Sequence, residues 1–591
     1  MPDDAAPPRA LFIARLTIGL LQGAVLYLLY RASDANAWPA NDPYVFAPLV
    51  LIWLYVPLLT MQAASSMRLT TLLAWTLTAA AICAGLAFYD RFRAHPLVIL
   101  SPNDILPHFA TFFFGFAALF IAQSLLAAGD GERRVVASYG GYFDAAWKLG
   151  VQLVLATVFV GVFWGVLWLG AMLFNLIKLD FLEKLIEHDW FAIPATALAT
   201  AAAIHLTDVR ARLVAGIRNV VLTMLAWLLP LLTLLAAGFL LTLFGTGLGP
   251  LWQTKEAASG MLGACAALVV LINAAYQNGE DARPAALRYG EAVAAFALVP
   301  LVGLSLYAVS LRVNEYGWTV DRIVSAACLL IAACDAGGYS AAAILSLRGG
   351  VWMDFVRRCN IVTAFLVIAV VLALFSPIAD PARLSVNDQM ARLQAGQVKA
   401  AQFDFYYLQN EGGRYGDAAL KALARSADAD IRKGAQYQLD AEKPSPSRPK
   451  TYGMAQNLTL FPEGTTLPPG FFKQNWADAK SDFGVPACLS AAGLRCDAIV
   501  ADLDNDGTNE VIVVSGDDAS WWGTVIQKNP RGIWASIGYM PTPHCPGDLK
   551  ALESGHYKLV VPPPPALRAI RIGGHLLPVK RAGPALPDCK P

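Results

Sequence analysis

The feature that most constrains this chain is a succession of eleven long apolar segments within its first 377 residues. A membrane-spanning helix needs roughly 20 apolar residues, and a segment in lipid must satisfy its own backbone polar groups. The sequence therefore predicts an α-helical polytopic membrane bundle of about 11 spans. The predicted spans are Leu11–Tyr30, Phe46–Ser65, Leu69–Phe88, Phe109–Ala128, Val151–Phe174, Phe191–Leu206, Val220–Phe244, Met261–Gln277, Ala292–Arg312, Ile323–Ser346 and Ile361–Pro377.

Composition supports a membrane protein and excludes other classes. Hydrophobic residues make up 56% of the chain and charged residues 15%, whereas a typical soluble domain carries about 25% charge. Lys and Arg number 45 against 44 Asp and Glu, so the formal net charge is +1. A nucleic-acid partner is not expected, because such proteins carry a basic excess. The lipid bilayer is the partner that this composition predicts.

The chain divides near Pro377 into a membrane part and a tail. The last 214 residues hold 45 charged residues, whereas the first 377 hold 44. We therefore predict a transmembrane domain at 1–377. In the tail we predict a helical extramembrane segment at 378–442, a Pro- and Ser-rich linker at 443–450, and a small β-rich, disulfide-containing domain at 451–591.

Basic residues in the short loops predict the orientation of the spans, because Lys and Arg concentrate on the cytoplasmic side. With the N-terminus in the cytoplasm, the inner segments hold 13 of these residues and the outer loops hold 8. Eleven spans then place the tail on the outer side. The sixth span is the weakest, since it is short and Ala-rich and carries Pro194 and His205. Without it, the tail would lie in the cytoplasm.

The tail contains four of the nine cysteines, namely Cys488, Cys496, Cys545 and Cys589. An even number of cysteines in a small exported domain is typical of a disulfide framework. We therefore predict two disulfides, although four cysteines allow three pairings and the sequence does not choose among them. A zinc site is the alternative, but the chain contains no Cys-x-x-Cys pair.

One short acidic motif in the tail predicts a calcium site. Oxygen ligands at alternate positions of a flexible loop suit calcium, and Gly507 permits a sharp turn. The loop resembles the calcium loops of FG-GAP-type β-repeats, of which the chain carries one copy. The alternative is a hairpin turn that is capped by aspartate side chains. The candidate ligands are Asp502, Asp504, Asp506, the Thr508 carbonyl and Glu510.

Within the membrane part, Asp335 lies near the middle of its predicted span. An ionisable residue at this depth is costly and marks a functional site by default. We expect its side chain to face the interior of the bundle. The alternative is a structural carboxyl that pairs with a neighbouring helix or is protonated and hydrogen-bonded. Asn273, Gln123 and His205 are milder intramembrane polar candidates.

A set of short motifs resembles a known family. The motifs are Arg15, Gly19, Gln22-Gly23 and Tyr27; Trp38-Pro39-Ala40-Asn41-Asp42-Pro43; Tyr316-Gly317-Trp318-Thr319-Val320-Asp321-Arg322; Ser376-Pro377; Asp380-Pro381-Ala382-Arg383-Leu384-Ser385-Val386-Asn387; Phe403-Asp404-Phe405; and Arg414-Tyr415-Gly416. Together they resemble the bacterial polytopic membrane family catalogued as domain of unknown function 4153, over roughly residues 10 to 425. The resemblance implies a bacterial inner-membrane protein, and it implies no activity, substrate or catalytic residue.

Three classes of function are compatible with the sequence. The first is an envelope scaffold or sensor, whose periplasmic tail binds calcium, a small molecule or a protein partner. The second is a transporter that uses polar groups at the membrane midplane. A membrane-embedded enzyme ranks last, because the sequence shows no paired catalytic groups. Short, broken helices in matching halves would favour a transporter, and none is evident, so the scaffold or sensor is preferred at this level. A cavity at the midplane would discriminate between the first two classes.

Overall fold

The computed structural model divides the chain into two compact units, residues 1–440 and 441–591. In the first unit and at its boundary it describes residues 9–35, 37–94, 105–249, 257–277, 284–347 and 352–442. In the second it describes residues 457–462, 464–473, 476, 486–490, 495–503, 507–517, 520–528, 534–540, 548–555, 570–572 and 575–577.

Eleven helices among the described residues are long and apolar enough to cross a membrane. The predicted polytopic bundle of about 11 spans is therefore confirmed. A twelfth, short helix (α6, Phe181–Glu187) separates the fifth and sixth spans. The spans are α1 (Arg9–Asp34), α2 (Pro43–Ala63), α3 (Leu69–Arg93), α4 (Phe109–Glu132), α5 (Tyr139–Leu176), α7 (Asp189–Val209), α8 (Ala211–Thr246), α9 (Ala257–Tyr276), α10 (Ala285–Tyr316), α11 (Val320–Leu347) and α12 (Trp352–Leu374).

The weakest predicted span forms α7, and its small residues explain its packing. A Cβ atom added at Gly19 of α1 would lie 2.6 Å from the Ala201 Cβ. One added at Gly23 would lie 2.5 Å from the Pro194 Cα. Glycines four residues apart lie on one helical face and let two membrane helices approach closely. The alanine content that weakens the hydropathy of α7 therefore provides the flat surface on which α1 packs.

The membrane helices build two separate hydrophobic cores. The N-terminal bundle (α1–α5 and α7) has a core between α2, α3 and α4 that includes Leu51, Leu59 and Trp75. The C-terminal bundle (α8–α12) has a core that includes Leu229 and Leu298, and two buried aromatic residues of α5 also belong to it. Helices α4 and α5 of the first bundle lie against α12 and α8 of the second. The two bundles therefore meet along a seam formed by these four helices.

Between the last span and the second unit, four α-helices are described: α13 (Pro381–Gln394), α14 (Phe405–Glu411), α15 (Gly413–Leu423) and α16 (Ala429–Glu442). The first three form a docked segment, residues 381–423, whose attachment to the bundle begins at Asp380. This fully buried carboxylate accepts a hydrogen bond from the Tyr89 hydroxyl of α3 at 2.6 Å and one from the Ala382 amide at 2.8 Å. It therefore caps α13 and ties the segment to α3.

The docked segment also contacts the turn between α10 and α11. Gly317 has a φ of +77°, and the following amide, of Trp318, donates to the Asp388 carboxylate at 2.8 Å. The Val320 amide, at the start of α11, donates to the Tyr407 hydroxyl at 2.9 Å. Burial raises the pKa of this phenol, so Tyr407 accepts this bond as a neutral hydroxyl. The segment is thus bonded to the first residue of α11.

The second unit contains a five-stranded sheet in the order β1-β2-β3-β4-β5. Strands β1 and β2 are parallel, and the other neighbouring pairs are antiparallel. Val511 and Val513 of β3 face Phe471 and Trp476, whereas alternate residues of β3 face Leu549, so both faces are buried. The strands of this sheet are β1 (Leu458–Phe461), β2 (Cys496–Ala501), β3 (Glu510–Asp517), β4 (Ser520–Lys528) and β5 (Trp534–Met540). A separate two-stranded sheet consists of β6 (Ile570–Ile572) and β7 (His575–Leu577). The second unit also contains the short helices α17 (Ala487–Ser490) and α18 (Asp548–Glu553).

The contact between α1 and α7 predicts that Gly23→Ala destabilises the membrane part. The added methyl group would overlap the Pro194 backbone, and overpacking of this kind costs about 1–3 kcal/mol. The thermal melting temperature of the detergent-solubilised protein measures the effect. Gly161→Ala is the matched control, because a Cβ there would meet nothing within 4 Å. Equal melting temperatures for the two variants would refute close packing at Gly23.

Candidate functional site

A cleft of about 310 Å³ lies at the seam between the two bundles. Its walls come from α4 and α5 on one side and from α9, α11 and α12 on the other. Aromatic and aliphatic side chains form most of the lining. The polar groups are few, as is typical of small-molecule sites. They include Tyr139, Asn273, Asp335, Tyr339, Asn360 and Thr363.

Three of these polar side chains form a closed ring of hydrogen bonds. The Asn273 amide of α9 donates to the Tyr339 hydroxyl at 2.7 Å. That hydroxyl donates to the Asn360 carbonyl oxygen of α12 at 2.5 Å. The Asn360 amide closes the ring on the Asn273 carbonyl oxygen at 2.6 Å. Each member both donates and accepts, so the ring fixes the orientation of all three side chains.

Tyr139 connects the ring to the N-terminal bundle. It is the first residue of α5, and its hydroxyl accepts from the Asn360 amide at 3.2 Å. The same hydroxyl donates to the Asn273 carbonyl oxygen at 3.3 Å. A displacement of α5 relative to α9 and α12 would therefore break polar contacts inside the seam.

Asp335 lies one helical turn before Tyr339 on α11, and its side chain is 5% exposed. Its Oδ1 accepts a hydrogen bond from the Thr363 hydroxyl of α12 at 2.9 Å. Thr363 lies one turn after Asn360. The pairs Asp335–Thr363 and Tyr339–Asn360 therefore form two successive polar contacts between antiparallel helices.

No basic side chain forms an ion pair with Asp335 in the part of the chain that the structure describes. Three other acidic residues of the membrane part do have such partners. Asp90 pairs with Arg91 at 2.7 Å, Asp130 with Arg68 at 2.6 Å and Asp208 with Arg15 at 3.0 Å. A buried carboxylate without a cation is strongly disfavoured in a membrane. Asp335 is therefore suited to take up a cation or a proton from the cleft.

A close approach of α11 and α12 brings these groups together. A Cβ at Gly338 would overlap the Cys359 sulfur, whereas one at the neighbouring Gly337 would meet nothing within 4 Å. Gly338 is therefore the residue that allows the close contact. The remaining oxygens of the cleft are hydroxyls and amide carbonyls, which hard cations accept as ligands.

The milder intramembrane candidates have partners of their own. Gln123 accepts from the Trp75 indole at 3.1 Å and donates to the Gln62 carbonyl oxygen at 3.4 Å. His205 lies 3.4 Å from the Arg15 guanidinium. Asn273 is the only one of the three that lines the cleft at the seam.

The candidate calcium loop is described in part. Asp504 and Asp506 lie outside the described residues. Glu510 is 1% exposed and accepts from the Leu503 amide at 2.7 Å. The Gly507 amide donates to the Asp502 carboxylate at 3.0 Å. These bonds are those of the side-chain-capped turn that was the alternative. The described residues contain no group of three His, Cys, Asp or Glu side chains placed to hold a metal ion, and calcium stays a prediction.

Cys488 and Cys496 form a disulfide between α17 and the first residue of β2. Both residues lie in the core beside Phe471 and Trp476. Cys545 and Cys589 lie outside the described residues, so the second predicted disulfide stays a prediction.

Sequence reasoning singled out Asp335 but missed Tyr139, Tyr339, Asn360 and Thr363. A signal was present, because Asp335 and Tyr339 are four residues apart and Asn360 and Thr363 are three apart. Polar residues at these spacings share a helical face. Residue spacing does not predict that these faces of α11 and α12 lie against each other. It also does not predict that Tyr139, which is 221 residues from Asn360 in the chain, contacts them.

A family model described as Domain of unknown function (DUF4153) matches residues 18–425. This range runs from α1 through α15 and includes every polar residue of the cleft, and it confirms the resemblance drawn from the sequence. No curated protein gives a significant match. No solved structure does so either.

The ring predicts that Tyr339→Phe destabilises the bundle, because it leaves the Asn273 amide and the Asn360 carbonyl without this partner. An unsatisfied buried polar group costs about 1–3 kcal/mol. The melting temperature in detergent should fall accordingly. Tyr289→Phe is the control, since Tyr289 is exposed on α10, and this substitution should change the melting temperature little. If Tyr339→Phe melts at the wild-type temperature, the ring is not a stabilising element.

Proposed function

This chain belongs to the DUF4153 family, and on that premise we propose that its membrane bundle binds a small cation, either a monovalent metal ion or a proton, at Asp335. Binding takes place in the cleft between the two bundles and forms part of the transport of an ion or solute. The function is therefore that of a transporter. The proposal rests above all on one observation, which is the burial of Asp335 without a basic partner among the described residues.

The surroundings of Asp335 support a cation rather than an anion. The Thr363 hydroxyl already donates to one carboxylate oxygen. The neighbouring ring supplies the hydroxyl of Tyr339 and amides whose carbonyl oxygens are engaged within the ring. A cation that enters the cleft would neutralise the carboxylate, and no basic side chain is among the residues that line the cleft.

The position of the cleft supports transport rather than a purely structural role. It lies at the seam between the N-terminal and C-terminal bundles, and relative motion of two bundles about a central site is how many transporters alternate access. The sequence alone placed the scaffold or sensor ahead because it shows no matching pair of short, broken helices. A polar cleft beside a mid-span carboxylate reverses that order.

The proposal predicts that Asp335→Asn abolishes a cation dependence of thermal stability. A ligand that binds only the folded state stabilises it, by about 2.7 kcal/mol at 100 times its Kd. For a bound metal ion, NaCl or KCl should raise the melting temperature above that in choline chloride at equal ionic strength. For a bound proton, the melting temperature should instead fall as the pH is raised through the range in which Asp335 releases it.

The control is Asp430→Asn, which removes an exposed carboxylate of α16 and should keep the wild-type dependence. Thr363→Val should weaken the dependence without removing it, because it deletes a neighbouring oxygen and keeps the carboxylate. A wild-type cation dependence in Asp335→Asn would contradict the assignment of the site.

A second candidate function, the envelope scaffold or sensor, is favoured by the docked segment. Its bonds to Tyr89 and to the start of α11 connect the tail to the membrane part. We place the protein in the bacterial inner membrane with its N-terminus in the cytoplasm and its tail in the periplasm. The basic-residue bias and the eleven spans support this placement. A reporter fused after Pro377 that is active only in the cytoplasm would contradict it.

For a sensor, we propose that the tail binds calcium through Asp502, Asp504, Asp506, the Thr508 carbonyl and Glu510. We predict that calcium at about 1–10 mM raises the melting temperature of the second unit in the full-length protein, since extracellular sites bind with a Kd of about 10⁻⁴–10⁻³ M. Asp502→Asn should abolish the shift. An equal shift with magnesium, or none with calcium, would favour the capped turn.

A further inference from the structure

A second, smaller pocket lies at the end of the bundle where α5 begins and α7 ends. Its volume is about 200 Å³, enough for about seven water molecules at roughly 30 Å³ each. One face of α5 contributes three polar residues at four-residue spacing, and α7 and α8 supply the others. The polar lining consists of Asp144, Lys148, Gln152, Thr207, Asp208 and Arg218.

Gln152 is the unusual member of this lining. Its side chain is 2% exposed, and its amide nitrogen donates to the Ile204 carbonyl at 3.0 Å. Its carbonyl oxygen is buried and has no hydrogen-bond partner. A buried acceptor without a donor is disfavoured, because it has lost its hydrogen bonds to water and gained none in return. Gln152 lines the pocket, so a ligand or a water molecule there that presents a hydrogen-bond donor would satisfy this oxygen.

The residues that line the pocket carry charges of both signs, and Asp208 also pairs with Arg15, which lies outside the lining, at 3.0 Å. Lys148 lies 3.4 Å from the Asp208 carboxylate, and Arg218 lies 2.7 Å from the Asp144 carboxylate. A lysine has three N–H donors and an arginine has five, so both cations retain donors beyond these ion pairs. The lining itself carries two basic and two acidic groups, which favour a ligand that carries both charges.

The level of the pocket in the bundle matches the head groups of a bilayer. The apolar segments of α5 and α8 begin at Val151 and Val220, and that of α7 ends at Leu206. The charged residues of the pocket lie just beyond these limits. This is where a bilayer changes from hydrocarbon to head groups, which add several ångströms on each side.

We propose that this pocket binds a phosphoester that carries a primary ammonium group, supplied as the head group of phosphatidylethanolamine. The ammonium donates to the Gln152 carbonyl oxygen and faces the carboxylates of Asp144 and Asp208. The phosphate accepts from Lys148 and Arg218. Phosphatidylcholine has the same net charge but no N–H donor, so it leaves Gln152 unsatisfied. Phosphatidylglycerol is an anion and would place no positive charge near the two carboxylates.

The test measures lipid binding to the full-length protein in detergent micelles by native mass spectrometry. The dioleoyl forms of the three lipids are added separately, so that their acyl chains are identical. One hydrogen bond to Gln152 predicts binding of phosphatidylethanolamine about 2- to 10-fold tighter than phosphatidylcholine. Equal affinities would overturn the proposal and leave water as the partner of Gln152, and a preference for phosphatidylglycerol would overturn it too. Free phosphoethanolamine that binds as tightly as the lipid would refute the lipid source.

Three variants test whether the preference for phosphatidylethanolamine arises in this pocket. Gln152→Leu should abolish the preference for phosphatidylethanolamine while phosphatidylcholine still binds. The double substitution Lys148→Gln and Arg218→Gln should weaken the binding of both phosphatidylethanolamine and phosphatidylcholine. Arg68→Gln is the matched control, because Arg68 is an exposed base of the N-terminal bundle that pairs with Asp130, and it should keep the preference. A preference that survives in Gln152→Leu would overturn the assignment, and the wild-type comparison decides if that variant does not fold.

Discussion

A polar group inside a bilayer has no water to bond with, so it must find its partner within the bundle. This constraint accounts for the arrangement of the polar residues in the membrane part. Asp90 is satisfied by Arg91, and Asp208 is satisfied by Arg15. The ring of Asn273, Tyr339 and Asn360 satisfies its own members. Asp335 receives one hydrogen bond and has no basic partner among the described residues. It is therefore the residue to which we assign the binding of a cation or a proton.

Helix α11 connects the two regions to which the proposals assign a function. Its first residue, Val320, donates its amide to Tyr407 of the docked segment. Its middle carries Asp335, and Tyr339 follows one turn later. A change in the docked segment would therefore act on the helix that carries the proposed cation site, through one continuous element of secondary structure. This connection makes the transporter and sensor proposals compatible with each other.

Hydropathy predicted the membrane part because the requirement for about 20 apolar residues is local. It predicted even α7, whose apolar character is weak and whose packing depends on Gly19 and Gly23 of α1. It also identified Asp335, because a carboxylate in an apolar run is conspicuous by itself. The partners of Asp335 could not be predicted in the same way. Thr363 reaches Asp335 only because α11 and α12 pack side by side, and Tyr139 joins the neighbouring ring from a helix that is distant in the chain.

In the tail, too, the sequence predicted local motifs but not the contacts between elements of secondary structure. Spacing predicted that its cysteines would pair but could not select Cys488 with Cys496, because the pairing depends on how α17 packs against β2. The acidic loop was visible as a motif. The burial of Glu510, and its bond to the Leu503 amide, depend on β3 having both faces covered. Two-sided burial of a strand is a tertiary property that a short motif does not carry.

Cation flux into proteoliposomes tests the central claim most directly. The purified protein would be reconstituted and given an inside-negative potential, with sodium uptake and internal pH followed in parallel. The account predicts that sodium ions or protons enter faster with the wild-type protein than with Asp335→Asn, although both proteins are reconstituted equally and melt as folded proteins. Equal entry of both cations with the wild type, with Asp335→Asn and with protein-free liposomes would contradict it.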